Sequence, residues 1–456
     1  MATAALATIF IGLIGFYVIS NAIGRDARSR CGFVIASTNV SSLEYLVGKF
    51  AGNVVFLGTF TFGFMCSAMA MVVLRGEAPL QPFVFAKQYA LVLPSSILFV
   101  SALALVFEAI PFLSGRFGDV AYFFVWAALI GVVAGSIETG GKPGLLGALD
   151  ISGMAFMIST MRNVVHTTHM SIGSSPYDPH KGVYVFNGLM MTREWIVPRI
   201  LSMLVPVPLI LLARAAFHRF DPVRVKQSVA KQRGVWVSRV NGIFKPLTRA
   251  SMALVARGSG ASLLRSALAD ALLTITSTPV LALAIAGTSF AALIAPLKAV
   301  MPIVIAAMGI AIADVACREA RSGATSLTFA APLLRPRFVA FKLLSSLLVL
   351  TAFAVAPAAR MLASARAMLL PFLVGTLLLA AAATFLGLVS SNAKTFIVLF
   401  LLAWYIAVDD KGHTPAFDFA GFNGVATLGV IAMYFAIAAG FVAASQAVHA
   451  VRLRNA

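Results

Sequence analysis

The chain has 456 residues, of which 60% are hydrophobic and only 11% charged, and its mean hydropathy is +0.94. Ordinary soluble chains are about a quarter charged, so composition excludes a water-soluble globular protein and points to an all-α polytopic membrane protein. The net charge of +19 is read as the Lys and Arg that membrane proteins keep on the cytoplasmic side, not as a nucleic-acid surface.

Eleven apolar segments are expected to span the membrane, since a crossing helix needs about 20 apolar residues. The first five are 2–23, 50–74, 88–113, 119–137 and 196–217; six more are 269–292, 297–316, 343–360, 367–389, 394–408 and 424–447. Residues 2–23 lack a basic start and a small-residue cleavage site, so they read as a span and not a signal peptide.

A short basic stretch closes two of these spans. Arg25-Asp26-Ala27-Arg28-Ser29 recurs as Arg318-Glu319-Ala320-Arg321-Ser322, and each copy is followed at equal spacing by a lysine, Lys49 or Lys342, that opens the next apolar segment. The copies align without a gap and pair Asn39 with Pro332 and Tyr45 with Phe338. Six spans separate them, so parity puts both on one face. With the N-terminus outside and the C-terminus cytoplasmic, cytoplasmic segments hold 24 of the 35 Lys and Arg, which selects that orientation.

A second pair of landmarks falls on the opposite face. Trp126 precedes Asp150-Ile151-Ser152-Gly153, and Trp404 precedes Asp418-Phe419-Ala420-Gly421. The expectation is therefore two parallel-repeat halves, 1–217 with five spans and 269–456 with six. Residues 218–268 form a basic linker, its end read as an amphipathic surface helix or as a solvated connector. The extra span at 269–292 has no counterpart in the first half, which reads as one helix short.

These loops resemble the cytoplasmic loop of ABC transporter permeases of the ABC-2 type. The resemblance rests on Ser37-Thr38-Asn39-Val40-Ser41 through Glu44-Tyr45-Leu46-Val47-Gly48-Lys49-Phe50, on Phe217-His218-Arg219-Phe220-Asp221-Pro222 and on Asn392-Ala393-Lys394 before Trp404-Tyr405. The Asn39 position is usually proline in that family, as at Pro332. It implies an exporter in a bacterial inner membrane, driven by separate ATPase subunits, two of them, that bind ATP. The residues implied to couple to them are Arg25, Asp26, Arg28, Glu44, Tyr45, Lys49, Arg318, Glu319, Arg321, Pro332, Arg335 and Lys342. The simpler reading is that these charges only anchor loops to the inner face.

The chain has no G-x-x-x-x-G-K-[ST] phosphate loop, so it carries no ATP site of that kind itself. Neither a catalytic arrangement nor a cofactor site is legible. His166, His169 and His180, with Asp178, are the candidate metal ligands, because His166 and His169 share a helix face; solvated loop histidines are the plainer reading. Cys31, Cys66 and Cys317 lack paired metal spacing and read as free thiols. Glu108, Arg199, Lys298 and Asp314 lie in or near spans, as transport-path residues or as side chains snorkelling to the interface. The transported substrate is not legible. An ion-coupled secondary transporter and an integral-membrane lipid-modifying enzyme stay open as alternatives.

Overall fold

A computed structural model describes residues 2–75, 79–138, 150–155, 157, 193–218, 220, 253, 262–277, 279–331 and 333–454. Among these, every regular element is a helix, the solution a bilayer imposes when backbone N–H and C=O groups find no water. Seven helices are long and apolar enough to cross a membrane, or eight if one bent pair counts as a span. The chain divides into two compact units, Met1–Gln232 and Arg233–Ala456.

In the first unit, α1 (Ala2–Phe10) runs through a π-turn (Ile11–Gly15) into α2 (Phe16–Ile19), and α3 (Ala22–Arg28) and α4 (Cys31–Ser37) follow. The long α5 (Ser42–Arg75), α6 (Pro82–Ala109) and α7 (Arg116–Glu138) come next, then α8 (Arg193–Leu204) and α9 (Pro206–Ala216). The π-turn has a local cause, because widening the helix there exposes a carbonyl. Tyr122 of α7 donates its hydroxyl to the Gly12 carbonyl, while its ring stacks on Phe16 at 3.6 Å. Gly12 also packs closely on α7, where a Cβ would lie 3.1 Å from the Trp126 indole.

The turn at Asp150 is tied to α6 and α8. The buried Arg199 guanidinium donates to the carbonyls of Asp150 (2.7 Å) and Leu91 (2.8 Å) and faces the Asp150 carboxylate at 3.9 Å. Ser95 and Ser96 both donate to the Ile151 carbonyl. Arg199 thus clamps the Asp150 turn to α6.

The second unit opens with α10 (Leu263–Ser277) and α11 (Pro279–Ile294), then α12 (Leu297–Ile312), the short α13 (Arg318–Ser322) and α14 (Thr325–Phe329), and the long α15 (Phe338–Ser364) and α16 (Arg366–Ser390). It ends with α17 (Ala393–Asp409), a 3-10 turn (Pro415–Phe417) and α18 (Leu428–Arg454). The expected span at 269–292 falls on two helices, α10 and α11, which meet near Pro279 at 91° and form either one broken span or a re-entrant loop. Proline lacks the N–H that would continue the ladder and its ring clashes with the preceding turn. Residues 263–268, the end of the expected surface helix, are the first turns of α10; most of 218–262 lies outside the described residues.

The expected spans fall on helical segments, but 2–23, 196–217 and 269–292 are each divided among successive helices, Phe117–Gly131 and Leu297–Ile312 are shorter apolar stretches, and α17 has 17 residues. The turn at Asp418 is built like that at Asp150. Each aspartate carbonyl accepts from the glycine three residues on, Gly153 or Gly421, and each carboxylate accepts the N–H five residues on, Ala155 or Asn423. Both glycines have positive φ, +71° and +68°, and both press on a neighbouring helix, Gly153 against Val92 and Gly421 against Pro371. A side chain there would be strained twice, by conformation and by contact.

Candidate functional site: two braced hairpins

The repeated basic stretches become two hairpins of matching build. In each, an apolar helix passes into a short helix bearing the acid, a second short helix follows, and a long apolar helix carries the lysine. In the first, Lys49 Nζ lies 2.7 Å from Asp26 Oδ2, and the Tyr45 hydroxyl donates to the same carboxylate at 2.7 Å. In the second, Lys342 pairs with Glu319, at the same sequence separation of 23 residues. The lysine also overlies the aromatic ring four residues before it in both cases, Tyr45 at 5.5 Å and Phe338 at 5.8 Å.

Local sequence explains why the first hairpin folds this way. Four backbone N–H groups at the start of α3, from Asn21 to Gly24, donate to the Glu108 carboxylate at 2.6–3.2 Å. A helix N-terminus presents unpaired donors and a partial positive charge, and Glu108, at the end of α6, satisfies both. Ser41 and Glu44 form a reciprocal capping box at the start of α5, with Ser41 N donating to Glu44 at 2.7 Å and Glu44 N to Ser41 Oγ at 3.2 Å. Tyr45 stacks on Phe217 at 5.4 Å and meets Phe220 edge-on at 5.6 Å. Phe220 leaves no room for a side chain at Gly32, where a Cβ would lie 2.7 Å from its ring.

The second hairpin is fastened by charge. Asp270 of α10 accepts from Arg318 at 3.2 Å and from Lys342 at 3.1 Å. Arg318 also reaches Thr274 Oγ1 at 2.9 Å and Asp314 at 3.3 Å. The Lys342 side chain is 0% exposed, with its ammonium 4.6 Å from the centre of the Phe341 ring. Burial of an ammonium is tolerated only with such compensation. On the far side, His449 of α18 donates from Nε2 to the Arg335 carbonyl at 2.7 Å and lies against Phe338 and Phe329.

The charges read from sequence therefore divide. Asp26, Tyr45, Lys49, Arg318, Glu319 and Lys342 are turned to internal partners, so the expectation that these charges face outward for docking is revised. Glu44 is occupied by its cap. Arg25, Arg30, Arg321 and Arg335 are exposed, as are Phe33 and Val34 on α4 and Leu327 on α14. Pro332, the Arg28 side chain, His166, His169 and His180 lie outside the described residues. Sequence reading missed Asp270 and His449; a lone acid inside an apolar run was the signal for the first. It named Glu108 and Asp314 without their partners. Among the described residues no group of three His, Cys, Asp or Glu side chains is placed to hold a metal, and the three cysteines are free thiols. No protein-family model, curated protein or solved structure matches this chain.

Proposed function

We propose that the chain is the membrane-spanning permease subunit of an ATP-driven transporter of ABC-2 type, an exporter, with two halves of common origin fused in one polypeptide. In this reading the eleven spans divide five and six. Residues 25–49 and 318–342 are cytoplasmic levers in a bacterial inner membrane, the N-terminus lies outside, and two separate ATPase subunits supply ATP turnover. The observation that carries it is the acid–lysine brace recurring at equal spacing in both hairpins.

A lever must move with the helices it drives. Lys49 and Lys342 each tie a short helix to the long membrane helix behind it, so a push on the hairpin is delivered to α5 or α15 and not absorbed by the loop. The exposed arginines Arg25, Arg30, Arg321 and Arg335 then remain free to meet an acidic docking surface. Closure of the ATPase pair would tilt the long helices and change the side to which the pathway opens.

The test is co-purification of the full chain with an ATPase subunit, followed by R25E and R321E. Both arginines are exposed, so their reversal should release the ATPase and leave the folded permease intact. Transport that follows a proton gradient with no ATPase present would replace this reading with an ion-coupled secondary transporter. Modification of a lipid by the purified chain would replace it with an enzyme.

A further inference from the structure

In the second unit α17 and α18 both pack on α16 and stand apart from one another. The space between them is a groove of about 380 Å³, a size within the ordinary range of ligand pockets. Leu379 and Ala382 of α16 form its floor, Phe396 and Phe400 of α17 one wall, and Ile437 and Phe441 of α18 the other. Leu399 and Ile437, at its lips, are 46% and 40% exposed, so the groove opens sideways toward hydrocarbon. One end is shut: Phe419 of the Asp418 turn meets the Tyr434 ring edge-on at 6.3 Å, and the Tyr434 hydroxyl donates to the Ala416 carbonyl. The other end lies where α17 begins and α18 finishes.

Length decides what fits. From Leu378 to Leu386 the floor rises about 12 Å, at 1.5 Å per residue, less than half of a hydrocarbon core about 30 Å thick. A crossing helix of a partner is too long for it and is blocked by Phe419. One acyl chain from a single leaflet matches both the length and the apolar lining. Its headgroup then comes to the end where α17 begins, and that end is bordered by cations. Arg452 follows Phe441 by eleven residues, close to three turns, and so shares its face of α18. The exposed Arg452 guanidinium donates to the Val389 carbonyl, just past Leu386, at 3.4 Å. Arg454 and Lys394 stand at the same end. Neither α16 nor α18 contains an acidic residue, and the one acid of α17, Asp409, is at the opposite end. We propose that the groove between α17 and α18 binds one acyl chain of a phospholipid whose anionic headgroup lies against Arg452.

The inference does not depend on an ATPase. The full chain is reconstituted in phosphatidylcholine vesicles that hold, at equal trace level, either phosphatidylglycerol or phosphatidylcholine with a diazirine in its acyl chain. After illumination, mass spectrometry locates the labelled residues. Phe56 and Phe60 on α5, 51% and 53% exposed, report bulk lipid. The expected result is groove labelling about fivefold stronger with phosphatidylglycerol, the share that one arginine beside an anionic headgroup supplies, and equal labelling by the two lipids on α5. R452Q should remove that preference, and A382F, which fills the floor, should lower labelling of the groove by both lipids. R452Q changes an exposed side chain, so it gives its answer even where A382F does not fold. Groove labelling without a preference for phosphatidylglycerol, or the same preference on α5, would overturn the proposal. So would a preference that survives R452Q, or groove labelling that a folded A382F leaves unchanged.

Discussion

Lys342 Nζ lies 3.1 Å from Asp270 Oδ2, across 72 residues of sequence, with its side chain closed to solvent. Breaking a buried pair from one side leaves a charge without its counterion, at a cost of about 3–5 kcal/mol. D270N keeps Glu319 beside Lys342 and Asp314 beside Arg318, so a loss near the low end, about 3 kcal/mol, is expected. Unfolding of purified protein in mixed micelles measures it. K342M should cost at least as much as D270N, because Asp270 stays paired with Arg318 but Glu319 is left without its counterion.

Glu108 gathers the four N–H groups that open α3. E108A removes a cap and a charge that favours the helix dipole, together about 1–2 kcal/mol. The effect should be local: faster amide exchange at Ala22–Gly24 and faster tryptic cleavage at Arg25, with the rest of the first unit unchanged. Equal exchange in both proteins would remove Glu108 from this role.

At the start of α5, S41A breaks the capping box with Glu44 and should cost about 1 kcal/mol. E44Q retains the side-chain acceptor and should cost less. The comparison separates a capping role for Glu44 from a docking role, which would instead weaken a partner's binding at constant stability.

Two glycines at the Asp418 turn and one at the Asp150 turn give a graded test of backbone against contact. Gly421 and Gly424 both have positive φ, +68° and +73°. A Cβ at Gly421 would lie 2.7 Å from Pro371 Cγ, whereas at Gly424 the nearest atom is at 3.6 Å. G424A should therefore lose only the left-handed penalty, about 1–2 kcal/mol, and G421A clearly more. G153A, with φ +71° and a Cβ 2.8 Å from Val92 Cγ1, should behave like G421A in the same unfolding assay.

Much of the architecture is written in hydropathy, because a bilayer accepts only long apolar helices or closed barrels. That is why α5, α6, α15, α16 and α18 stand where the apolar runs do. The bend at Pro279 is less legible: proline is common inside membrane helices, and α6 carries Pro94 without a break. At the hairpins the repeated Arg-acid pattern and the spaced lysine are visible in sequence, but their partners are not. Asp270 and Glu108 meet their targets only after distant helices pack, so no local spacing marks them. An arginine on the surface and one inside an ion-pair network read alike until those contacts are in place.

The burial of Lys342 bears on how the protein is made. During synthesis Asp270 and Glu319 emerge before the lysine does, so both counterions are at hand when α15 must leave water. A chain whose α10 is delayed, deleted or inserted the wrong way round would present an ammonium to the lipid with half its neutralising partners gone. Successful biogenesis of the second unit is thus tied to the order in which its helices arrive.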